Sequence, residues 1–312
     1  MKCRRCGHKA SINMRQHKLA LCKDHYLEWI LSQTERIIGK YKMFTHQDQI
    51  VVAVSGGKDS LALWDVLSRL DYNVEGLYIG LGINGGISYS TKSRSYCEEF
   101  ANLQKSKLNI VEINKELDNT IPELSKQSSR GRGKPCSVCG LTKRHIMNRF
   151  AIDKGYDVLV TGHNLDDEVA TLFNNTLNWS TGYLQRQSPV LESTHPGLIR
   201  KAKPFCRFYE RETAAYALLR KIQYIYDECP YAVGAKSIYN KALLNRLEVD
   251  RPGAKLSFYL AFLKAKEEGF FTQKGESNSN LLNTCPSCGG PTTVIGECAF
   301  CRMVTKVNQG NK

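Results

Sequence analysis

The 312-residue chain carries 44 Lys and Arg residues against 30 Asp and Glu residues, which gives a formal net charge of +14. This length allows a full hydrophobic core with one or two small appended modules. No apolar run approaches the roughly 20 residues that a membrane span needs, and residues 1–6 are too polar for a secretory signal, so we expect a cytoplasmic protein.

In chain order, residues 1–26 form a small block rich in cysteine and histidine, and residues 29–43 have the apolar spacing of an amphipathic helix. The middle of the chain then alternates strand and helix patterns. Strands are predicted at 50–54, 74–79, 108–113 and 157–161, and helices at 61–70, 89–105, 141–153, 166–179, 210–221 and 237–247. This alternation predicts an α/β fold, with a twisted and mainly parallel sheet covered by helices on both faces.

Positive charge is concentrated in two segments. Residues 125–150 contain seven Lys and Arg residues and no acid, and residues 200–211 contain five with one acid. Such basic segments fit a partner with a phosphate backbone, so the charge distribution favours nucleic acid. Residues 125–134 have no apolar anchor, and we expect them to form a loop that is mobile until a ligand binds.

A glycine-rich loop follows the first strand of the middle block and leads into a helix. Two glycines allow backbone N–H groups to approach phosphate oxygens, and the N-terminal end of a helix favours pyrophosphate. A plain tight turn is the alternative, and the loop lacks the spacing of a Walker A motif. The pattern resembles the PP-loop of the N-type ATP pyrophosphatases. Its residues are Ser55, Gly56, Gly57, Lys58, Asp59 and Ser60, with Lys58 assigned to phosphate and Asp59 to Mg²⁺.

A second loop, residues 161–168, follows the fourth predicted strand and opens another helix. It resembles the second nucleotide motif of the same superfamily, and both loops can face one site because ligands bind beyond the carboxyl ends of parallel strands. Asp167 is assigned to a second metal or ribose contact. Helix capping is the alternative for Asp166 and Asp167, and His163 could also be a capping residue. The predicted nucleotide-binding set is completed by Ala53, Ile79 and Gly162.

Two groups of cysteine and histidine residues lie near the ends of the chain. Each has four candidate ligands in two pairs, with two residues between the members of a pair. Tetrahedral zinc is bound by four such N or S donors, so both groups predict closed structural zinc sites. The ligands are Cys3, Cys6, Cys22 and His25 in one group and Cys285, Cys288, Cys298 and Cys301 in the other. A polar linker at 272–283 precedes the second group. The predicted domains are an N-terminal zinc finger (1–28), a catalytic domain (29–272) and a C-terminal zinc finger (273–312).

A third group has three cysteines, Cys136, Cys139 and Cys229, and no obvious fourth ligand. Three readings stay open from the residues alone. The first is a third zinc completed by Cys206 or a histidine. The second is a 4Fe–4S cluster with one iron left open to a substrate atom. The third is a cysteine pair that carries persulfide sulfur and then forms a disulfide.

Together these motifs resemble the TtuA-type tRNA 2-thiolation enzymes, a family of PP-loop ATP pyrophosphatases. The resemblance rests on residues 55–60, 136–140 with Lys143 and Arg144, 161–168, 228–230 and both terminal cysteine groups. Four segments resemble the T-loop branch of the family more than the wobble-uridine branch. They are residues 20–26, 60–67, 162–168 and 234–237. The wobble-uridine branch has an Arg-Gly-His segment after the third cysteine, which residues 231–237 lack.

The resemblance implies a 4Fe–4S cluster on Cys136, Cys139 and Cys229, a target uridine at tRNA position 54, and a ubiquitin-like sulfur carrier with a C-terminal thiocarboxylate. It also implies ATP-dependent adenylation of the uridine C2 oxygen before sulfur replaces it. Lys143 is assigned to orienting or stabilising the adenylated base, with a phosphate contact as the alternative. We also expect a homodimer.

Three rival functions stay open. The first is wobble-uridine thiolation. The second is a tRNA-modifying ligase with another nucleophile, which has no use for an incomplete cysteine site. The third is a zinc-stabilised RNA-binding protein that no longer turns over nucleotide.

Overall fold

The computed structural model describes residues 1–84, 88–130, 135–232, 236–271 and 282–310. Three sequence-based predictions therefore fall partly outside the described residues. They are the mobile loop at 125–134, the linker at 272–283 and the family segment at 234–237.

A six-stranded sheet forms the centre of the molecule. In sheet order its strands are β5 (Leu108–Glu112), β4 (Val74–Gly80), β3 (Ile50–Val54), β6 (Val158–Thr161), β8 (Arg200–Ala202) and β7 (Val190–Leu191). Every neighbouring pair is parallel except β7 with β8. The predicted α/β class and mainly parallel sheet are confirmed.

The residues of β3 alternate between two cores. Ile50, Val52 and Val54 pack in a core on one face of the sheet, and Val51 packs in a core on the other. A strand that is buried on both faces has a continuous run of apolar residues, and this pattern predicted β3. Helices therefore have to cover both faces of the sheet.

Twelve helices are present in the described part of the chain. They are α1 (Lys23–Lys40), α2 (Lys58–Arg69), α3 (Tyr89–Gln104), α4 (Ile113–Leu117), α5 (Ile121–Gln127), α6 (Pro135–Asp153), α7 (Leu165–Leu177), α8 (Thr181–Arg186), α9 (Glu210–Leu219), α10 (Lys236–Asp250), α11 (Ala254–Glu267) and α12 (Ala299–Gly310). None of them is long and apolar enough to span a membrane.

Each terminal cysteine group belongs to a small module joined to the sheet domain. The N-terminal module contains the antiparallel pair β1 (Ile12–Met14) and β2 (Leu19–Leu21). Cys22 follows β2 and occupies the N-cap position of α1. The C-terminal module contains the antiparallel pair β9 (Asn283–Thr284) and β10 (Pro291–Thr292) and then α12. Phe300, Met303 and Val307 of this module are buried in the same core as α6. The domain boundaries themselves stay a prediction.

Several predicted element boundaries were wrong. Helix α1 begins six residues before the predicted start, because the module leads straight into it. Helix α6 begins at Pro135, six residues before the predicted start at 141, so Cys136 and Cys139 lie within its first turns. The start of the predicted mobile loop is instead the end of α5, whose Ser125 is buried. Five helices (α4, α5, α8, α11 and α12) and six strands (β1, β2, β7, β8, β9 and β10) were not predicted.

Candidate nucleotide and cysteine site

The glycine-rich loop joins β3 to α2, and hydrogen bonds within the loop fix its conformation. The Ser55 backbone N–H donates to the Ser60 hydroxyl at 3.2 Å, and that hydroxyl donates to the Gly57 carbonyl at 3.0 Å. Gly56 has φ +75°, and a Cβ there would collide with the carbonyl of Ser93. Only glycine fits this position, because a side chain would be both strained and blocked.

The second loop joins β6 to α7 and touches the first. A Cβ on Gly162 would lie 2.8 Å from the Asp59 carbonyl carbon and from the Ser60 nitrogen. The two loops can approach because β3 and β6 are adjacent parallel strands, with Ala53 opposite Thr161. They therefore meet at the carboxyl edge of the sheet, as the sequence predicted.

Asp167 has two roles in the geometry. Its backbone N–H donates to the Asn164 side chain at 3.2 Å, and its Oδ2 accepts from the Asn164 N–H at 3.1 Å, which makes a capping box. Its Oδ1 lies 2.6 Å from the ammonium of Lys241. The capping alternative is therefore present, and one carboxylate oxygen still faces a charged partner. Asp166 is buried, and its Oδ1 lies 2.5 Å from Lys255 Nζ.

A cavity of about 520 Å³ opens at this edge of the sheet, a volume suited to a nucleotide-sized ligand. It is lined by residues from both loops and from the cysteine group. The predicted site residues among them are Ala53, Ser55, Asp59, Ser60, Ile79, Cys136, Cys139, Lys143, Gly162, Asp167 and Cys229. The structure thus brings three separately predicted motifs to one cavity. Lys58 instead lines a neighbouring cavity of about 530 Å³.

A network of alternating charges lies between these two cavities. Lys58 Nζ lies 3.0 Å from Asp59 Oδ2 and 2.7 Å from Glu210 Oε1. Lys241 Nζ lies 3.1 Å from Glu210 Oε2 and, through its other contact, reaches Asp167. Two ammonium groups and three carboxylates are therefore poised around the glycine-rich loop, which suits the binding of phosphates together with a metal ion.

The network shifts the ionisation of its members. Burial opposes charge on Glu210, but Lys58 and Lys241 lower its pKa to about 2. Burial raises the pKa of Asp59, and Asp167 adds to this rise while Lys58 and a hydrogen bond from Thr213 oppose it. A nearby cation therefore stabilises the charged form of Asp59, which is the behaviour expected of a ligand for Mg²⁺.

The three middle cysteines share the cavity without zinc-site spacing. Cys136 Sγ donates to the Tyr231 carbonyl at 3.3 Å, and burial, with contributions from Cys229 and Cys136, raises the pKa of Cys139. In the described chain, only the two terminal groups have all their ligand atoms within 4.8 Å of one another. Thiolates on one zinc stand about 3.8 Å apart, given a Zn–S bond near 2.3 Å. Thiolates on different irons of a 4Fe–4S cluster stand further apart, so three thiols that line one cavity without zinc-site spacing are compatible with such a cluster.

The lone cysteines do not complete this group. Cys206 is fully buried in the apolar core, where burial raises the pKa of its thiol to about 12. It is absent from the residues that line the cavity. Of the alternatives for this group, a third zinc completed by Cys206 is therefore excluded, because the fold places that thiol in the core.

The terminal groups have the spacing that zinc requires. Each offers four N or S atoms that all lie within 4.8 Å of one another. The Cys22 Sγ lies 3.2 Å from His25 Nδ1, and the Cys288 Sγ lies 3.8 Å from Cys298 Sγ. Each group therefore has the four clustered donors that tetrahedral zinc needs, and zinc itself stays a prediction.

Helix α6 presents Lys143 on the same side as the cysteines. Cys136, Cys139, Lys143 and Met147 all line the cavity, at the spacing of one helical face. Lys143 also lowers the pKa of Cys139, against the larger effect of burial, so its ammonium lies near that sulfur.

Sequence reasoning missed four residues of this site. Glu210 and Lys241 bridge the lysine and aspartate groups, and Thr213 donates its hydroxyl to Asp59. Tyr89 lines the cavity, and burial and then Cys229 and Cys139 raise its pKa. The sequence carries no signal for them beyond their places on helices, because they reach the site from distant segments.

Comparisons with known proteins agree with this geometry. A model of the PP-loop domain matches residues 30–234, and a model described as the 2-thiouridine synthetase TtuA, N-terminal LIM domain, matches residues 2–27. The tRNA-5-methyluridine(54) 2-sulfurtransferase of Thermus thermophilus is 47% identical to this chain, over 97% of this chain and 91% of its own length. The chain belongs to the TtuA family.

A second relative supports the TtuA assignment, and a solved structure shares the fold. The tRNA-5-methyluridine(54) 2-sulfurtransferase of Thermotoga maritima is 42% identical, over 99% of this chain and 98% of its own length. The U34-tRNA thiolase NcsA from Methanococcus maripaludis, solved with its [4Fe-4S] cluster, superposes with a TM-score of 0.75 at 24% identity. That match covers 86% of this chain and 88% of the thiolase, and it shows a shared fold.

Proposed function

We propose that this TtuA-family protein is an ATP-dependent tRNA sulfurtransferase that converts the uridine or 5-methyluridine at T-loop position 54 to its 2-thio form. The observation that carries the proposal is the meeting of the glycine-rich loop, Asp59 and the three cysteines in one cavity. The relatives at 42% and 47% identity bear the name of this activity. An ATP site next to an incomplete cysteine group suits a reaction that first activates an oxygen and then replaces it with sulfur.

In the first half-reaction the uridine C2 oxygen attacks the α-phosphorus of ATP. An O–P bond forms, the bond from the α-phosphorus to the bridging oxygen breaks, and pyrophosphate leaves. The loop N–H groups and the nearby Lys58 and Lys241 suit the negative charge on the departing pyrophosphate. Asp59 and Asp167 would hold Mg²⁺, which would neutralise phosphate charge when bound.

In the second half-reaction sulfur forms a bond to C2, and AMP leaves with the former C2 oxygen. Cys136, Cys139 and Cys229 would hold a 4Fe–4S cluster, which supplies an open iron position for a sulfur atom when bound. Lys143 lies close to Cys139 and lines the same cavity, so its ammonium can orient the adenylated base and stabilise the charge that develops as AMP departs.

The substrate base has to leave its stack in order to reach the cavity. We further propose a ubiquitin-like carrier with a C-terminal thiocarboxylate as the sulfur donor, two structural zinc ions, a cytoplasmic location and a homodimer. The basic segments of α6 and of strand β8 support tRNA as the substrate, since both border the sheet edge that holds the cavity.

The test is turnover under exclusion of air with tRNA, ATP and sulfide, followed by mass spectrometry of the tRNA fragments. We expect AMP and pyrophosphate in step with 2-thiouridine in the T-loop fragment. Thiouridine in the anticodon fragment instead would support wobble thiolation. RNA binding without any AMP would sink the enzyme assignment altogether.

A further inference from the structure

A second groove lies along the face of helix α6 opposite Cys136 and Cys139, beside Cys288 and Cys298 of the C-terminal module. It has a volume of about 500 Å³ and lies between α6, the segment that leads into β8, and the C-terminal zinc module. Arg144, His145 and Arg149 of α6 line it together with Lys201 and Phe300. We call it the α6–zinc groove. None of the residues proposed above for catalysis lines it.

The C-terminal module is fixed against this groove by close packing. The Phe300 ring stacks on His145 with 3.8 Å between ring centroids and 12° between planes. A Cβ on Gly197 would lie 3.0 Å from the Gly289 carbonyl oxygen, so the module meets the segment before β8 backbone to backbone. The groove is therefore a shaped feature of the folded chain, since α6, β8 and the C-terminal module position its walls.

Two cations in the groove lack an acidic partner. Within the described residues, Arg144 and Lys201 have no carboxylate oxygen within 4.0 Å, whereas the charge of Arg149 is met by Asp153 at 3.4 Å. Burial, and then Arg144, lowers the pKa of Lys201 to about 8. Burial, and then the neighbouring Arg130, lowers the pKa of Arg144. Cations held together in this way gain most from an anion placed between them.

An exposed aromatic ring lies near one of these cations. The Tyr183 side chain acts electrostatically on Arg144 and is 65% exposed. Cations beside exposed aromatic rings are the combination by which proteins hold RNA, since the cations meet phosphates and the rings stack on bases.

We propose that the α6–zinc groove binds the phosphodiester backbone of the tRNA substrate through Arg144 and Lys201, on the opposite side of α6 from the uridine. This inference rests on the proposed function. A helix is about 10–12 Å across with its side chains, so RNA that contacts both sides of α6 belongs to one region of the tRNA. Contact at the groove holds the strand in register while the target base enters the cavity.

The experiment measures the affinity of a tRNA transcript for the zinc-loaded, air-excluded protein at several salt concentrations. We expect Arg144→Gln with Lys201→Gln to weaken binding about tenfold or more and to reduce the salt slope by about two, one for each lost phosphate contact. The KM for tRNA should rise, while kcat at saturating tRNA and the affinity for an ATP analogue stay within about twofold.

A matched control removes the same charge elsewhere. Lys107→Gln with Lys264→Gln replaces two exposed lysines, each paired with an acid and far from the groove lining. This variant should bind tRNA within about twofold of the wild type. Zinc content and melting temperature check that both variants fold.

The outcomes separate the two proposals. If the groove variant binds tRNA as tightly as the control variant, with the same salt slope, the inference is overturned while the proposed function stands. If the wild-type protein neither binds nor thiolates tRNA, the proposed function fails and the inference with it.

Discussion

The ammonium of Lys58 lies 2.7 Å from the carboxylate of Glu210, although 152 positions separate them in the chain. Lys58, beside the glycine-rich loop, is therefore already paired with an acid, Glu210, at the start of α9. The same acid engages Lys241, so one carboxylate pairs with both cations beside the glycine-rich loop. We therefore expect nucleotide phosphates to compete with Glu210 for these two ammonium groups.

Glu210→Gln should therefore strengthen the binding of a non-hydrolysable ATP analogue severalfold, because neither lysine is then neutralised. The effect should be constant between pH 6 and pH 8, since the pKa of Glu210 is held at about 2. Calorimetric titration measures it. Glu28→Gln, which removes an exposed acid paired with Arg5, is the control. Weaker binding by Glu210→Gln would mean that this acid positions the lysines for phosphate instead of competing with it.

Asp59→Asn should raise the melting temperature of the nucleotide-free protein and abolish turnover. Burial raises the pKa of Asp59, and a carboxylate with a raised folded pKa costs stability above that pKa. The gain from Asn should be full at neutral pH and should fade as pH falls through the raised pKa to the unfolded value, where Asp is itself protonated. Thermal melts from pH 3 to pH 8 test the sign. A variant that is less stable at neutral pH contradicts it.

Replacing Cys136, Cys139 or Cys229 by Ala should remove iron and 2-thiouridine formation while leaving zinc content unchanged. Cys206→Ala is the matched control, because that thiol is buried in the core outside the cavity. It should keep iron and activity and lose only about 1–2 kcal/mol of stability. Metal analysis and electron paramagnetic resonance of reduced protein provide the readout. Full thiolation by all three site variants would end the cluster proposal.

Gly162→Ala should sharply reduce ATP binding. The new methyl group would lie 2.8 Å from backbone atoms of Asp59 and Ser60, so the two nucleotide loops would have to separate. Overpacking of this kind costs about 1–3 kcal/mol. Gly39→Ala is the control, since no atom lies within 4 Å of its added methyl group and α1 should gain slightly. Equal ATP affinity in both variants would show that the loops move apart freely.

Cys301→Ser should release one of the two zinc ions and lower the melting temperature by roughly 10 °C or more. The reason is that Phe300, Met303 and Val307 of the module complete the core beneath α6. Ser287→Ala, in the same module but exposed and outside the ligand set, should keep both ions. Zinc analysis with calorimetry measures the change. Loss of zinc without loss of stability would show that the module is not part of this core.

The sequence by itself determined the features that are local in the chain. Continuous apolar runs such as Ile50–Val54 located strands, because a strand buried on both faces leaves no polar positions. Cysteine and histidine ligands in pairs, with two residues between the members of each pair, predicted both four-ligand groups, because ligands for one ion have to be close. The loop at 55–60 was recognisable because a phosphate-binding turn is built from consecutive residues. All of these signals are written within a few residues of one another.

Only the tertiary structure decided which distant groups meet. Glu210 and Lys241 complete the charge network across long stretches of chain, and Cys206, unpaired in the sequence, is placed in the core rather than in the cavity. The two faces of α6 could be assigned only from the structure, in which one face lines the cavity and the other lines the groove beside the C-terminal module. Contacts between remote segments leave no period or spacing in a sequence, since they arise from how the elements pack.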